Sequence, residues 1–427
     1  MNLILITLYN GLIYPILFLT ALVISFFDRK VRKSILGKFK TIKYIINYFN
    51  KIDSKSNIYW FHASSLGEFY QVKPILEDIK KLNNKVKCIV SFSSPSGYEN
   101  AICEKMDLKF YMPFDFPWTI SRLLKIINPD KIIFASYDIW PNLILKSKAI
   151  GIKTILYSVR IKENSIKKKF IFRSVYRFFY GSIDSLFSIS TEDMKGVCDI
   201  LSNDQGPVLK VLGNPRYDYV IRQAKKYREN DSNDLNQRDL RIAIGSSHEQ
   251  DEEHIIPALV DLMNINANLK VLFVPHEPSH SEIERIKKLF QQYGCVARVH
   301  TNKLNLRLPS DRLLILGVVG VLSKLYWQCR IAYVGGGYST GVHNVMEPAV
   351  ARLPVLFGPK YHNSHEAEEL LINKGGFCVT NKDDLLNKVK HLISDSNYFK
   401  ITSLSASDVV YQNLGSSIKM ARIILGD

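Results

Sequence analysis

Trp60 to Glu68 reads W-F-H-A-S-S-L-G-E: an apolar run, two serines, a glycine, then an acid where a helix should begin. A carboxylate held at that edge can take a proton from an attacking hydroxyl, provided burial lifts its pKa toward the working pH. The same letters fit a capping box, S-x-x-E, in which Ser65 and Glu68 only finish a helix, and spacing alone leaves both readings open. Tyr137 to Asn142, Y-D-I-W-P-N, sets another acid after an apolar run. Asp138 and Asn142 there either hold a sugar or belong to a structural turn around Trp140. Gly335 to Gly341, followed by His343, Asn344 and Glu347, has the glycines that let backbone approach a phosphate, with Glu347 placed for ribose hydroxyls. Its spacing is not the dinucleotide fingerprint G-x-G-x-x-G. Gly245-Ser246-Ser247-His248 offers a serine cap and bare helix amides to a phosphate or carboxylate. A tight structural turn also explains either glycine loop. His276 to His280 matches the zinc pattern H-E-x-x-H, which needs both histidines one turn apart on a regular helix; Pro278, just after an apolar run, predicts a loop instead. His62, His248, His343, His362 and His365 read as polar loop residues, and no metal is expected.

The elements that must position these blocks alternate strand and helix. Short apolar runs at Ile58–His62, Val86–Phe92, Lys109–Tyr111, Lys131–Ala135, Thr154–Ser158, Ser185–Ile189 and Val208–Leu212 are separated by amphipathic stretches such as Gly67–Leu82 and Trp118–Ile127. This order predicts a doubly wound parallel sheet. A polar stretch follows, and the alternation resumes at Leu240–Ile244, Leu269–Val274, Leu313–Leu316, Ile331–Val334 and Val355–Phe357. We therefore expect an α/β chain of GT-B type: an anchor helix over 1–28, a Rossmann-like acceptor domain over 29–225, a linker over 226–239, and a Rossmann-like nucleotide-sugar domain over 240–427 whose last helix packs back on the first. Ligands of such sheets sit beyond the carboxyl ends of the strands, so the expected site is a central cleft faced by both domains.

The chain has 427 residues, enough for two domains, and a formal charge of +17, which calls for an anionic partner. Its six cysteines form no close pairs, consistent with buried thiols in a reducing compartment. Met1 to Phe27 holds no charge and is long enough to span a bilayer; Asp28 and then Arg29, Lys30, Arg32 and Lys33 follow, which puts the rest in the cytoplasm. A cleaved signal peptide would need a basic start and a small-residue cleavage site, and both are missing. An interfacial helix is the other reading, because Asn10, Gly11 and Pro15 interrupt the run. Lys162 to Tyr180 mixes cations with aromatics, which suits an anionic bilayer surface. Such a mixture also stacks nucleic-acid bases, but the hydrophobic N-terminus argues against that partner.

In order along the chain these blocks resemble the 3-deoxy-D-manno-octulosonic acid (Kdo) transferases of lipopolysaccharide synthesis. His62 to Glu68 resembles the family's H-A-x-S-x-G-E, whose glutamate is regarded as the catalytic base, and Asp138 to Asn142 its acid-x-W-P-N. Gly213 to Asp218, Gly245 to Glu252, Val274 to Pro278, Gly336 to Pro348, Gly358-Pro359 and Asn363 resemble its later blocks. The resemblance implies inverting transfer of Kdo from CMP-Kdo to a lipid A precursor at the cytoplasmic side of a bacterial inner membrane. Glu68 would be the base. Ser64, Ser65, Gly67, Asp138, Asn142, Arg160 and Arg216 would surround the acceptor and sugar. Gly245, Ser246, Ser247, His276, Gly336, Gly337, Gly341, His343, Asn344 and Glu347 would hold the nucleotide sugar, with the amides of Gly336, Gly337 and Gly341 stabilising the charge that leaves on CMP. No metal or other cofactor is implied, and a monophosphate leaves with less charge than a diphosphate. Three departures stand out: Asp138 where the family has Glu, His276 where it has Arg, and Gly317 to Leu322 where a G-D-x-x-G-E-L block has lost both acids. The alternatives are a GT-B transferase with another nucleotide sugar and lipid acceptor, and a non-catalytic nucleotide- or lipid-binding relative. The eroded block favours the second, and the intact Glu68 stands against it.

Overall fold

The computed structural model describes residues 2–51, 56–136, 138–201, 206–227, 235–301 and 308–426; Tyr137 and half of the expected linker lie outside them. The chain forms two compact units, Met1–Tyr219 with Gly415–Asp427, and Val220–Leu414.

The sheet of the first unit contains β1 (Ile58–Ala63), β2 (Lys87–Phe92), β3 (Leu108–Tyr111), β4 (Lys131–Ala135), β5 (Lys153–Val159), β6 (Ser185–Ser188) and β7 (Val208–Val211), all parallel, in the order β3-β2-β1-β4-β5-β6-β7. Helices cover both faces, so the strands read as near-continuous apolar runs rather than alternating ones. Side chains still alternate: Tyr59, Phe61 and Ala63 enter the core on one face, and Trp60 enters the other with Ile132 and Phe134. The last helix, Ser416–Leu425, belongs to this unit, with Met420, Ala421 and Ile424 buried in the Phe61 core. Asp218 caps it, accepting from the Gly415 and Ser417 amides at 2.8 Å each.

The second unit repeats the plan with β8 (Arg241–Ser247), β9 (Lys270–Pro275), β10 (Arg298–His300), β11 (Leu313–Leu316), β12 (Ile331–Val334), β13 (Val355–Phe357) and β14 (Gly376–Cys378), again parallel, in the order β10-β11-β9-β8-β12-β13-β14. In each sheet the strand order reverses direction beside its first strand, at β1/β4 and at β8/β12. Loops leaving the two strands at such a switch point diverge and open a crevice at the carboxyl edge.

The N-terminal apolar helix is continuous from Asn2 to Phe27, with a π-helical turn at Tyr9–Ile13, and Leu3–Phe27 is long and apolar enough to cross a membrane. Asp28 ends it and caps the next helix, Arg29–Phe49, by accepting from Lys30 and Val31. The two form a hairpin: Phe18 meets Phe39 edge-on. Polar groups also tie the apolar helix to the first unit. Tyr9 donates to the buried Asp115 carboxylate at 2.9 Å, Tyr14 accepts from the Asp115 amide at 2.6 Å, and Asn10 exchanges hydrogen bonds with Asn142.

Candidate functional site

The switch point of the first unit gathers Glu68 from the first turn of the helix after β1 and Asp138 from the loop after β4. Ser65 caps helix Leu66–Leu82 by accepting from the Glu68 amide, while the Glu68 carboxylate turns back to accept from the Ser64 amide at 2.5 Å. The capping arrangement is therefore real, and the carboxylate is part of it. Burial and the neighbouring Asp138 charge push Glu68 up to about 8, outweighing the hydrogen bonds from the Ser64 amide and side chain that favour its charge. The fully buried Tyr157 hydroxyl on β5 is pushed up by burial and by Glu68, and has no hydrogen-bond partner among the described residues.

Asp138 ends a polar chain through the sheet. Trp60 donates from Nε1 to Ser91 Oγ at 2.8 Å, Ser91 Oγ lies 2.8 Å from His62 Nδ1, and His62 Nε2 lies 3.1 Å from Asp138 Oδ2. Ser91 Oγ also lies 3.4 Å from the Phe61 carbonyl, and Ser93 Oγ lies 3.3 Å from His62 Nε2. In the tautomer with the proton on Nε2, the imidazole donates to Asp138 while Nδ1 accepts from Ser91. His62 is wholly buried, edge-on to Trp140. Lys38, from the basic helix of the hairpin, holds its ammonium 5.8 Å from the Trp140 ring; burial lowers its pKa and the Asp138 charge opposes that.

In the second unit the switch point gathers the loops after β8 and β12. Asp251, fully buried in the first turn of helix Glu249–Ile265, fastens them together. It accepts from the amides of His248, Gly336 and Tyr338 at 3.0, 2.8 and 3.3 Å and from the Tyr333 hydroxyl at 2.9 Å. The turn needs its glycines: Gly336 and Gly341 lie at φ +90° and +118°, and a Cβ on Gly337 would strike the Gly358 backbone at 2.4 Å. Beside this loop three imidazoles converge. His248 Nε2 and His343 Nε2 are 2.8 Å apart, and the His276 ring stacks on both at 4.6 and 4.4 Å. Burial, helped by its two histidine neighbours, holds His343 down at about 4.

The sequence profile described as "3-Deoxy-D-manno-octulosonic-acid transferase (kdotransferase)" matches residues 38–219, and that span contains the Glu68, Asp138 and Gly213 blocks. A 3-deoxy-D-manno-octulosonic acid transferase of Chlamydophila psittaci is 27% identical over 348 residues, 78% of this chain and 77% of that one. One from Aquifex aeolicus is 26% identical over 357 residues, 81% of this chain and 89% of that one. The chain is thus similar to Kdo transferases along about four fifths of its length. A UDP-GlcNAc 2-epimerase structure from Neisseria meningitidis, 13% identical, covers 87% of this chain and 100% of its own with a TM-score of 0.60, a likeness of fold. The GT-B class expected from the strand–helix alternation is thus the fold observed.

Of the residues read as a Kdo transferase site, Ser64, Ser65, Gly67, Glu68 and Asp138 assemble at one switch point. Arg160 lies directly after β5, and Arg216 opens helix Arg216–Ala224. Asn142 is placed otherwise: its side chain is buried, shared by Asn10 and the Asp115 carbonyl. In the second unit Gly245, Ser246 and Ser247 end β8, Gly336, Gly337, Gly341, His343, Asn344 and Glu347 follow β12, and His276 follows β9. Three of these have different partners from those expected. The Gly336 amide goes to Asp251, the Gly341 amide to the Gly336 carbonyl, and the Ser247 hydroxyl to the buried Glu252, itself paired with Arg285. The helix expected after the glycine loop is short, Met346–Val350, with Glu347 already in its first turn. The H-E-x-x-H letters fall as expected on a strand-end loop, since β9 stops at Pro275 and the next helix starts at His280 behind a Ser279 cap. Lys38 and Asp251 were not singled out, and of the histidines read as polar loop residues His62 instead lies wholly buried on β1. Lys38 reads as one more cation of a basic helix, and a buried histidine on a strand looks no different from a core residue until its partners are placed.

Proposed function

We propose that this protein, similar to Kdo transferases, moves Kdo from CMP-Kdo onto a hydroxyl of a lipid A precursor, with inversion at the anomeric carbon. The observation that carries the proposal is the Glu68 carboxyl. It sits at a switch-point edge, buried, beside a second acid, with its pKa pushed up to about 8. A carboxylate of that basicity can take a hydroxyl proton in the transition state, a contribution of about 10²–10⁴-fold for a positioned base. The acceptor oxygen forms the new bond to the anomeric carbon, the bond from that carbon to the CMP phosphate oxygen breaks, and CMP leaves with the electron pair. Asp138, oriented by His62, keeps Glu68 basic, and Lys38, Arg160 and Arg216 supply positive charge for anionic groups of acceptor and sugar. The second unit holds the donor: Ser246 and Gly337 at the phosphate, Asn344 and Glu347 at the nucleoside, His276 and His343 beside the sugar carboxylate. No metal step is included, because a monophosphate leaving group asks for less charge neutralisation than a diphosphate.

The apolar hairpin brings the enzyme to the cytoplasmic face of the inner membrane, where a lipid acceptor is found. Leu3, Ile4, Leu12, Ile16, Leu19 and Val23 are exposed along it. Phe170, 88% exposed, and Phe172 add a second apolar prong from helix Phe170–Tyr180. The lysines before that helix contribute less than their number implies: Lys167 folds onto Tyr176 and Tyr180, and Lys168 pairs with Asp199.

The deciding experiment supplies CMP-Kdo, generated in situ, and a lipid A precursor to the wild type and to Glu68→Gln. We expect product from the first and a loss of at least 10²-fold in the second, with CMP binding retained. Full activity in a folded Glu68→Gln enzyme removes Glu68 as base. A wild type that binds CMP without transferring Kdo removes the proposed acceptor.

A further inference from the structure

β9, β8 and β12 lie side by side in the second sheet, and each runs into a loop that carries one histidine. His276 directly follows β9, His248 directly follows β8, and His343 lies in the glycine loop after β12. Because the strands are parallel, all three reach the same edge, and one ring nitrogen from each lies within 4.8 Å of the others. We propose that His248, His276 and His343 bind one transition-metal dication of the Zn²⁺ class, leaving a fourth position open to an anionic oxygen. The proposal goes beyond the transfer reaction, which includes no metal step.

The donor set decides the metal class. Three imidazoles with no carboxylate suit Zn²⁺, Co²⁺, Ni²⁺ or Cu²⁺ and not Mg²⁺ or Ca²⁺, which take oxygen ligands. Three histidines plus one open position is an established zinc geometry. Metal–nitrogen bonds of about 2.0–2.1 Å at tetrahedral angles put the nitrogens about 3.3 Å apart. The His248–His343 pair, now hydrogen-bonded at 2.8 Å, has to open by roughly half an ångström, and the His276 nitrogen has to close by about 1.5 Å at most. The ring that donates in that pair moves its proton to Nδ1 when the metal takes Nε2. Asp251 limits the backbone rearrangement, since one buried carboxylate already fixes the His248 amide and the Gly336 end of the loop bearing His343. His276 is solvent-exposed, which gives an ion a way in.

The test uses the full chain made without a polyhistidine tag, stripped by chelator and titrated with Co²⁺. We expect one equivalent to bind with the intense visible absorption of a tetrahedral nitrogen site, displaced by Zn²⁺. His276→Arg and His343→Ala should each weaken binding by more than the roughly 10–100-fold that loss of even an indirect partner costs. His254→Ala, a histidine stacked on Tyr338 outside the triad, should leave it unchanged. His276 is exposed, so His276→Arg keeps the test decisive even where His343→Ala does not fold. Unaltered Co²⁺ affinity in folded His276→Arg, or no 1:1 absorption up to millimolar cobalt, overturns the site.

Discussion

Glu68 carries two duties at once, helix cap and candidate base, and the two pull its pKa in opposite directions. The Ser64 amide stabilises the carboxylate, while burial and Asp138 destabilise it more, leaving it near 8 against an ordinary value of 4.5. A general base works deprotonated, so kcat/KM should rise about tenfold per pH unit below about pH 8 and level off above it. A profile flat from about pH 6 upward would show that another group sets the rate. The same shift has a stability consequence with a definite sign. The folded state holds this proton more tightly than the unfolded chain, so stability is highest at low pH and falls as pH rises from about 4.5 through about 8. Glu68→Gln should therefore melt higher than the wild type at pH above 8, by an amount that vanishes at acid pH. Gly67, one residue earlier, gives a complementary test. A Cβ there would meet only the Ser65 hydroxyl at 3.7 Å, so packing does not explain a glycine in a first helical turn. Gly67→Ala should stabilise the fold by about 0.4–1 kcal/mol through the unfolded chain, yet raise the KM for the lipid acceptor. An unchanged KM would mean that the space above Gly67 is not used by substrate.

The elements were legible where their physics is local and hidden where it is not. Parallel strands buried on both faces announce themselves as apolar runs, and the expected strands form; β10 and β14, Arg-Val-His and Gly-Phe-Cys, carry no apolar run like the Val-Leu-Phe of β13. The blocks at Glu68 and Gly336 were legible because a sharp strand-end turn needs serine, glycine and acid in a fixed order. The partners of those blocks were not, since Asp251 and His62 act through contacts distant in sequence. The apolar helix shows the limit most clearly. Its composition fits an upright span, but the structure binds Tyr9, Asn10, Tyr14 and Phe18 to Asp115, Asn142, Phe114 and Phe116. Those contacts fall along about 14 Å of the helix, at 1.5 Å per residue, in the middle of a segment that would occupy a hydrocarbon layer of about 30 Å. An upright span would carry the first unit into that layer, whereas a helix lying along the interface keeps Asp115 in protein and its exposed leucines in lipid. A small tag placed before Met1 should accordingly remain on the cytoplasmic side, protected from a periplasmic protease in intact cells. Cleavage from the periplasm would establish the upright span and require the Asp115–Asn142 contacts to open in the membrane.

Over the whole molecule the proposed membrane attachment would rest on two forces, and they separate by salt. A formal charge of +17 attracts anionic lipid at long range, each lysine or arginine near the surface contributing about 1 kcal/mol. That attraction weakens as the Debye length shortens from about 10 Å at 0.1 M to about 3 Å at 1 M ionic strength. The exposed residues of the apolar helix with Phe170 and Phe172 contribute by burial, at about 25 cal/mol per Å² removed from water, and salt does not screen this term. Because Lys167 and Lys168 are engaged inside the first unit, the apolar term should dominate once the enzyme is seated. Flotation with phosphatidylcholine vesicles, with and without phosphatidylglycerol, distinguishes the two. At low salt, binding should be stronger to the anionic vesicles. At about 0.5 M NaCl the two should converge on a substantial common value, since the surviving attraction is burial. Release from both vesicle types at high salt would mean that the helix stays on the protein and that charge alone recruits the enzyme. Phe170→Ser should then leave flotation unaltered, whereas an inserted apolar surface loses affinity with each aromatic removed.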